Sequence, residues 1–225
     1  MAAGRSEPEA PRRLGLFGGT FNPIHYGHLR SAEEVCESLG LTRLWFIPAS
    51  HPPHKATRSV TSFEVRLELT RLAVGDHPVM SVSDLEGRRP GRSYSIETLR
   101  QIRLEMGPTW ELYFILGLDA ALEIGTWKDY QDLFTLSHFV VLDRPGYDRR
   151  FLEEVLLTEV HPHFRPLEGE PGFQHPSGHK IVSQATTLMD ISGTTIRNLV
   201  RQGRSIRYLL PEAVRRYIIT HRLYT

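Results

Sequence analysis

The stretch GGTFNPIHYGH, residues 18–28, combines residue types suited to binding phosphate. Gly18 and Gly19 allow a ligand to approach the backbone closely, and the following Asn-Pro step is typical of a turn. His25 and His28 are three positions apart, so at the start of a helix both imidazoles face the same side. The helix N-terminus adds N–H groups and a partial positive charge. We therefore predict a polyphosphate site here. The alternative is a turn-rich helix start with two incidental histidines.

Two further segments offer groups for anions. The segment PASHPPHK ends in Lys55, whose flexible ammonium can reach a phosphate from a strand end. The segment DISGTTIR predicts a second helix N-terminus, with hydroxyls at Ser192 and Thr194 and a guanidinium at Arg197. Each segment has an ordinary alternative: an exposed loop lysine in the first, and a simple helix cap in the second.

Three residues near other strand ends suggest contacts to the rest of a nucleotide. Asp119 follows an apolar run, where its carboxylate can accept hydrogen bonds from ribose hydroxyls. Trp127 can stack on an aromatic ring, although core packing is an equally ordinary role for tryptophan. Arg144 follows the run HFVVLD. Together with the phosphate-binding segments, these residues predict a site for phosphates, a sugar and a flat ring.

Several kinds of catalytic machinery are missing from the sequence. We find neither a Ser-His-Asp or Cys-His arrangement nor a carboxylate cluster for two metal ions, and the P-loop and dinucleotide fingerprints are absent. This favours a reaction in which the substrate supplies its own nucleophile. The protein would then position two anions and neutralise developing charge.

The elements that must position these residues alternate along the chain. Apolar runs predict strands at 14–19, 43–48, 79–84, 111–120, 138–146 and 179–184. Amphipathic periodicity predicts helices at 28–40, 61–75, 93–107, 151–160, 193–203 and 210–223. This order predicts an α/β fold, with a Rossmann-like parallel sheet, helices on both faces and a C-terminal helical segment. Such sheets bind ligands beyond the carboxyl ends of their strands, where the candidate residues fall.

Composition limits the domain organisation and the partners. The 225 residues carry a formal net charge of +1, so we expect no nucleic-acid or membrane partner. The opening residues do not resemble a signal peptide and no later apolar run is long enough to span a bilayer, so we expect a cytoplasmic location. Residues 1–13 read as a disordered leader, and 14–225 as one domain. The single cysteine, Cys36, excludes an internal disulfide. The Pro-, Gly- and His-rich stretch 161–180 predicts a surface loop, with a metal-binding histidine cluster as the alternative.

The motifs in combination resemble a known family. GGTFNPIHYGHL, IPASHPPHK, SYSIETL, GLDA, TWKDY, RPGY and ISGTTIR occur in the order seen in the bacterial nicotinate mononucleotide adenylyltransferases. These enzymes belong to the HxGH nucleotidylyltransferase superfamily. The resemblance runs from about residue 14 to the end of the sequence and loosens over 148–180. It implies transfer of the adenylyl group of ATP to nicotinate mononucleotide, which gives nicotinate adenine dinucleotide and pyrophosphate.

The resemblance also implies roles for individual residues. Catalytic contacts to the ATP phosphates would come from His25, His28, Lys55 and Arg197. The rest of ATP would be bound by Gly18, Gly19, Thr20, Asp119, Ile191, Ser192 and Thr194. The mononucleotide would be bound by Ser93, Tyr94, Ser95, Trp127 and Arg144. Mg²⁺ would accompany ATP, and we expect no separate metal site in the protein.

Two positions depart from the family pattern. Asn22 stands where Asp is frequent, which leaves the turn intact, and Gly193 stands where Ser is frequent, which removes one hydroxyl near the phosphates. We expect the second change to weaken ATP binding. The alternatives to the implied activity are adenylyl transfer to nicotinamide mononucleotide or phosphopantetheine, and a non-catalytic nucleotide sensor. The sequence leaves monomer and homodimer both open.

Overall fold

A computed structural model describes residues 12–52, 60–143, 146–148 and 150–225. The strands are β1 (Arg12–Gly19), β2 (Arg43–Pro48), β3 (Met80–Val82), β4 (Trp110–Gly117), β5 (His138–Leu142), β6 (Arg165–Pro166), β7 (Gly172–Gln174) and β8 (Lys180–Gln184). The α-helices are α1 (Tyr26–Leu39), α2 (Phe63–Val74), α3 (Ser95–Met106), α4 (Leu118–Leu122), α5 (Tyr130–Leu136), α6 (Arg150–Val155), α7 (Gly193–Arg201) and α8 (Glu212–Thr220). Short 3₁₀ helices cover Leu85–Arg88 and Ile124–Thr126, and a π-helix covers Leu156–Val160.

The strands form one sheet in the order β3-β2-β1-β4-β5-β8-β7-β6. The first six strands in this order, from β3 to β8, are parallel to one another. The last two, β7 and β6, pair in antiparallel fashion and form one edge of the sheet. The chain proceeds from β1 to β2 and β3 on one side, and then crosses to β4 on the other. In parallel α/β sheets this reversal of strand order opens a crevice at the carboxyl ends. The predicted Rossmann-like class is confirmed.

Side-chain alternation along the central strands builds a core on each face of the sheet. On β4, Leu112 and Phe114 belong to one buried cluster, whereas Tyr113 and Ile115 belong to the other. Helices α3 and α5 cover the first face, and α1, α2, α7 and α8 cover the second. Both faces are thus buried, as predicted, which explains the nearly continuous apolar runs of the central strands.

The stretch 161–180 differs from its prediction as a surface loop. It contains β6 and β7, and Phe164 and His175 within it are buried. The free edge of β8 supplies backbone partners for β7, with Phe173 of β7 paired to Ile181. Because this antiparallel pairing depends on a distant strand edge, local Pro and Gly content misled the prediction.

The ends of several elements also differ from their predicted positions. Strand β1 begins at Arg12, so the expected leader 1–13 overlaps it by two residues, and residues 1–11 lie outside the described part. Strand β4 ends at Gly117, and the remainder of the predicted 111–120 strand turns into α4. No helix in the described ranges is both long enough and apolar enough to cross a membrane.

Candidate active site

A cavity of about 960 Å³ opens at the carboxyl edge of the sheet. Its floor is formed by the last residues of β1 and β4, including Gly18, Gly19 and Gly117. These two strands are neighbours, and they are the pair at which the strand order reverses. The cavity therefore lies where this type of sheet usually binds its ligands.

The two histidines of the first motif lie against each other at the start of α1, with their rings tilted by 31°. His25 is the N-cap of this helix, one turn before His28, and the centroids of their rings are 3.8 Å apart. The His25 backbone N–H donates to His28 Nδ1 at 3.3 Å. Since Nδ1 accepts this bond, the proton of the neutral His28 ring lies on Nε2. Phe21 packs edge-on against the same ring at 5.1 Å, so the orientation of His28 is fixed on two sides.

Gly27 makes room for the His25 ring, and Gly193 allows the starts of α1 and α7 to approach closely. A Cβ atom on Gly27 would lie 3.1 Å from His25 Nδ1, so the space beside Gly27 is filled by the His25 ring. A Cβ atom on Gly193 would lie 2.7 Å from the carbonyl oxygen of Asn22. Gly193 thus lets α7 begin directly against the turn that precedes α1, which places two helix N-termini at one end of the cavity.

Hydrogen bonds at the start of α7 fix the position of Arg197. Its guanidinium donates from Nη1 to the Asn22 carbonyl oxygen at 2.6 Å and from Nη2 to Thr194 Oγ1 at 3.1 Å. Ser192 caps the helix, because its Oγ accepts a hydrogen bond from the Thr195 backbone N–H at 3.0 Å. Ser192 therefore caps α7, and it also lies in the cavity wall.

The opposite wall is built by residues around the start of α3. The Ser93 hydroxyl accepts from the His51 backbone N–H at 3.0 Å, and the Ser93 N–H donates to the His51 carbonyl oxygen. This pair joins the segment before α3 to the loop after β2. Tyr94 lies beneath the ammonium of Lys128, 4.7 Å from the ring centroid, and Trp127 packs edge-on against Phe114. The wall thus offers aromatic surfaces and small polar groups.

The cavity brings together all but three of the predicted site residues: Gly18, Gly19, Thr20, His25, His28, Ser93, Tyr94, Ser95, Asp119, Trp127, Ser192, Thr194 and Arg197. Ile191 instead borders a neighbouring cavity of about 50 Å³, which His25 and His28 also line. Lys55 and Arg144 lie outside the described residues. Within the described ranges, no group of three or more His, Cys, Asp or Glu side chains has the geometry to hold a metal ion.

Comparison with known proteins places the chain in a family. Residues 16–199 match the family model described as cytidylyltransferase-like. A relative from Geotalea daltonii, named "probable nicotinate-nucleotide adenylyltransferase", is 49% identical over 212 residues, which are 94% of this chain and 98% of the relative. A relative of the same name from Geobacter metallireducens is 47% identical over 213 residues, 95% of this chain and 98% of the relative. The chain belongs to the nicotinate-nucleotide adenylyltransferase family.

The fold of this adenylyltransferase family member is shared with more distant proteins. The structure described as Plasmodium falciparum nicotinic acid mononucleotide adenylyltransferase complexed with NaAD superposes with a TM-score of 0.71. The match covers 95% of this chain and 97% of the other, at 18% sequence identity. At that identity the likeness shows the fold alone.

One residue of this adenylyltransferase that the sequence analysis missed is Arg66, whose side chain is almost entirely buried. Its guanidinium donates to three backbone carbonyl oxygens, those of Thr61 at 2.8 Å, Thr20 at 2.7 Å and Ser50 at 3.2 Å. Burial lowers the pKa of Arg66. Thr20 and Ser50 follow β1 and β2, so one side chain ties together the two loops at the cavity rim. Its position three residues before the buried Leu69 is the signal that could have revealed it.

A second missed residue is Glu86, which lines the cavity and is 8% exposed. Its Oε1 accepts a hydrogen bond from the Thr98 hydroxyl at 2.7 Å. Nearby, Lys128 donates to Glu97 Oε1 at 2.6 Å, and this hydrogen bond raises the pKa of Lys128. Glu86 and Lys128 place one negative and one positive charge in the wall of the cavity that also holds Tyr94.

Proposed function

We propose that the protein transfers the adenylyl group of ATP to nicotinate mononucleotide, which gives nicotinate adenine dinucleotide and pyrophosphate. The observation that carries this proposal is one cavity lined by two chemically different groups of residues, one from helices on one face of the sheet and one from the opposite face. The first group has two imidazoles, two helix N-termini and a guanidinium, and the second has aromatic and small polar side chains. The names of the relatives, nicotinate-nucleotide adenylyltransferases that match nearly the whole chain, agree with it.

The first group suits the ATP phosphates. His28 can donate from Nε2, because its Nδ1 already accepts the His25 N–H. Arg197 uses two of its nitrogens to hold Asn22 and Thr194, which leaves further N–H donors on the same guanidinium. His25, Lys55, Gly18, Gly19, Thr20, Ser192 and Thr194 complete this group in our proposal, with Asp119 at the ATP ribose and Ile191 by the adenine.

The second group suits the mononucleotide. Trp127 offers its ring to the pyridine, and Ser93, Tyr94 and Ser95 offer hydroxyls and backbone groups around the start of α3. Arg144 completes this set in our proposal. Lys128 also lines this wall, but its ammonium is already bound to Glu97, so the preference for the acid over the amide rests on the names of the relatives.

The reaction needs no covalent link to the protein. An oxygen of the mononucleotide 5′-phosphate attacks the α-phosphorus of ATP, a new P–O bond forms, and the bond to pyrophosphate breaks with its electron pair on the leaving group. The protein holds both phosphates in line, and donors such as His28 Nε2–H stabilise the charge that develops. A divalent cation, Mg²⁺ in our proposal, enters with ATP and neutralises charge on the leaving pyrophosphate.

We also propose that the chain from β1, which begins at Arg12, to residue 225 acts as one nucleotidylyltransferase domain and that the reaction takes place in the cytoplasm. The test of the activity is pyrophosphate release from ATP and Mg²⁺ with three acceptors: nicotinate mononucleotide, nicotinamide mononucleotide and phosphopantetheine. We expect strong preference for the first. Preference for another acceptor would keep the chemistry and change the substrate. ATP binding without release from any acceptor would favour a nucleotide sensor instead.

A further inference from the structure

Asn22, in the turn between β1 and α1, is held from two distant parts of the chain. The hydroxyl of Tyr224 donates to Asn22 Oδ1 at 3.0 Å, across 202 positions of sequence. Arg197 donates to the backbone carbonyl oxygen of the same residue at 2.6 Å. Asn22 is buried in the cavity wall, three positions before His25. Its side chain and its carbonyl therefore serve two different partners.

The segment that carries Tyr224 is a firm support for this bond. It follows α8, which is anchored in the core by Val214 and Ile218, both fully buried. The backbone N–H of Leu223 donates to the Ile218 carbonyl oxygen at 3.0 Å, across the left-handed residue Arg222 at which the helix ends, so the residue before Tyr224 is tied to the last turn of α8. Because the residue before Tyr224 is tied to α8 in this way, the Tyr224 hydroxyl can hold the turn that contains Asn22 in place.

Other groups around the phenol confirm that it lies at a junction of elements. Burial raises the pKa of Tyr224, while the side chain of Thr61 and the charges of Arg197 and Arg66 act in the opposite direction. Thr61 precedes α2, Arg197 belongs to α7, and Asn22 precedes α1. One hydroxyl thus lies among the elements that form the phosphate end of the cavity.

We propose that Tyr224 is a positioning residue for adenylyl transfer, an inference that rests on the function proposed above. Its hydroxyl fixes Asn22, and Asn22 in turn sets the position of Arg197 through its carbonyl and the entry of the chain into the His25–His28 helix. Loss of the hydroxyl frees the turn by a fraction of an ångström. Small displacements of groups that align reacting phosphates reduce turnover strongly, while substrate affinity changes less.

The test is Tyr224→Phe, which removes one oxygen atom and leaves the ring. We expect kcat to fall about tenfold, the effect of one lost hydrogen bond, with smaller changes in KM for both substrates. The matched control is Tyr113→Phe, which removes a phenol that donates to Glu111 Oε2 at 3.1 Å within the sheet. This control is expected to retain the wild-type kcat.

A second variant tests whether the effect passes through Asn22. Asn22→Ala removes Oδ1 but keeps the carbonyl that Arg197 uses. Tyr224→Phe added to Asn22→Ala should cause no further loss of kcat, because the bond is already gone. Fully multiplicative losses, or a wild-type kcat in folded Tyr224→Phe, would overturn the proposal.

Amide hydrogen exchange separates this inference from the proposed function. We expect the amides of residues 20–28 to exchange faster in Tyr224→Phe than in the wild type and in Tyr113→Phe. If the wild-type protein shows no adenylyl transfer, the proposed function fails, and the exchange data still report on the turn. Unchanged exchange in this stretch would contradict the positioning role whatever the activity.

Discussion

The imidazole rings of His25 and His28 lie 3.8 Å apart, and the backbone of the first donates to Nδ1 of the second. This relationship uses Nδ1 of His28 to hold the start of α1, and our proposal assigns Nε2 to the ATP phosphates. A substitution that preserves only one of the two nitrogens should separate these roles.

We predict that His28→Asn folds normally but loses turnover. Asparagine can place an acceptor near the position of Nδ1, whereas it has no group at the position of Nε2. Loss of one donor to the transition state lowers kcat by about 10²- to 10³-fold. His28→Gln, which can place a donor nearer to Nε2, should retain more activity than His28→Asn. Steady-state kinetics measure kcat for the wild type and both variants. Equal kcat values for His28→Asn and the wild type would show that His28 has no role in the mechanism.

Gly193→Ser should weaken ATP binding. The family pattern, in which Ser is frequent at this position, led us to expect that the missing hydroxyl lowers the affinity for ATP. On that view serine would restore the affinity. The structure indicates the opposite, because a Cβ atom at this position would lie 2.7 Å from the Asn22 carbonyl oxygen. Relief of that contact must move the start of α7 or the turn, at a cost of about 1–3 kcal/mol. Calorimetric titration with ATP measures the result, and tighter binding by the serine variant would contradict our interpretation.

Arg66→Lys should reduce both stability and turnover. A lysine ammonium cannot reach the three carbonyls that Arg66 satisfies, and each buried carbonyl left unpaired costs about 1–3 kcal/mol. Urea unfolding and kcat are measured together.

The matched control for this experiment is Arg103→Lys. Arg103 also donates to two backbone carbonyls, those of Trp110 at 2.7 Å and Leu136 at 2.6 Å, but Trp110 begins β4, at the end of the sheet opposite the cavity. We expect this variant to lose stability and keep its kcat. An equal loss of kcat in both variants would mean that Arg66 acts only through global stability.

Stability should decline in mild acid because of two histidines, one that begins β5 and one that immediately precedes β8. Burial lowers the pKa of His179 from 6.5 to about 4, and it also lowers that of His138, whose ring lies 5.0 Å away. The unfolded chain therefore binds protons at these rings at a higher pH than the folded chain does. The contribution of these rings to the free energy of unfolding should be constant above pH 6.5, the pKa of an unperturbed histidine. It should fall as the pH drops from 6.5 towards 4.

Urea unfolding at about pH 7.5 and about pH 5 measures this dependence. His179→Gln removes one of the titrating rings, so its midpoint should change less between the two conditions than that of the wild type. An identical change in both proteins would show that another group causes the acid sensitivity.

The sequence sufficed for the parts of the fold and site that depend on local pattern. Apolar runs located β1, β2, β4 and β5, and the positions of His25, His28 and Arg197 relative to helix starts placed them in one cavity. Cys36, the single cysteine, is partly buried, and burial raises the pKa of its thiol to about 12.

The rest depends on contacts between distant segments, which no local pattern encodes. Strands β6 and β7 form because β8 has an edge to pair with, and Pro and Gly in that stretch suggested a loop instead. The bond from Tyr224 to Asn22 joins residues whose separation carries no periodic signal. The spacing of Arg66 from Leu69 could have indicated that its side chain is buried, but only the fold shows the three carbonyls that converge on it.

The central claim is direct transfer of the adenylyl group, and the fate of the α-phosphate of ATP tests it. ATP labelled at the α-phosphorus is incubated with the protein, Mg²⁺ and nicotinate mononucleotide, and the products and the protein are separated. Our account predicts that the label appears in the dinucleotide, in equal amount to the pyrophosphate released, and that none is bound to the protein. Label recovered as AMP, or attached to the protein, would contradict it.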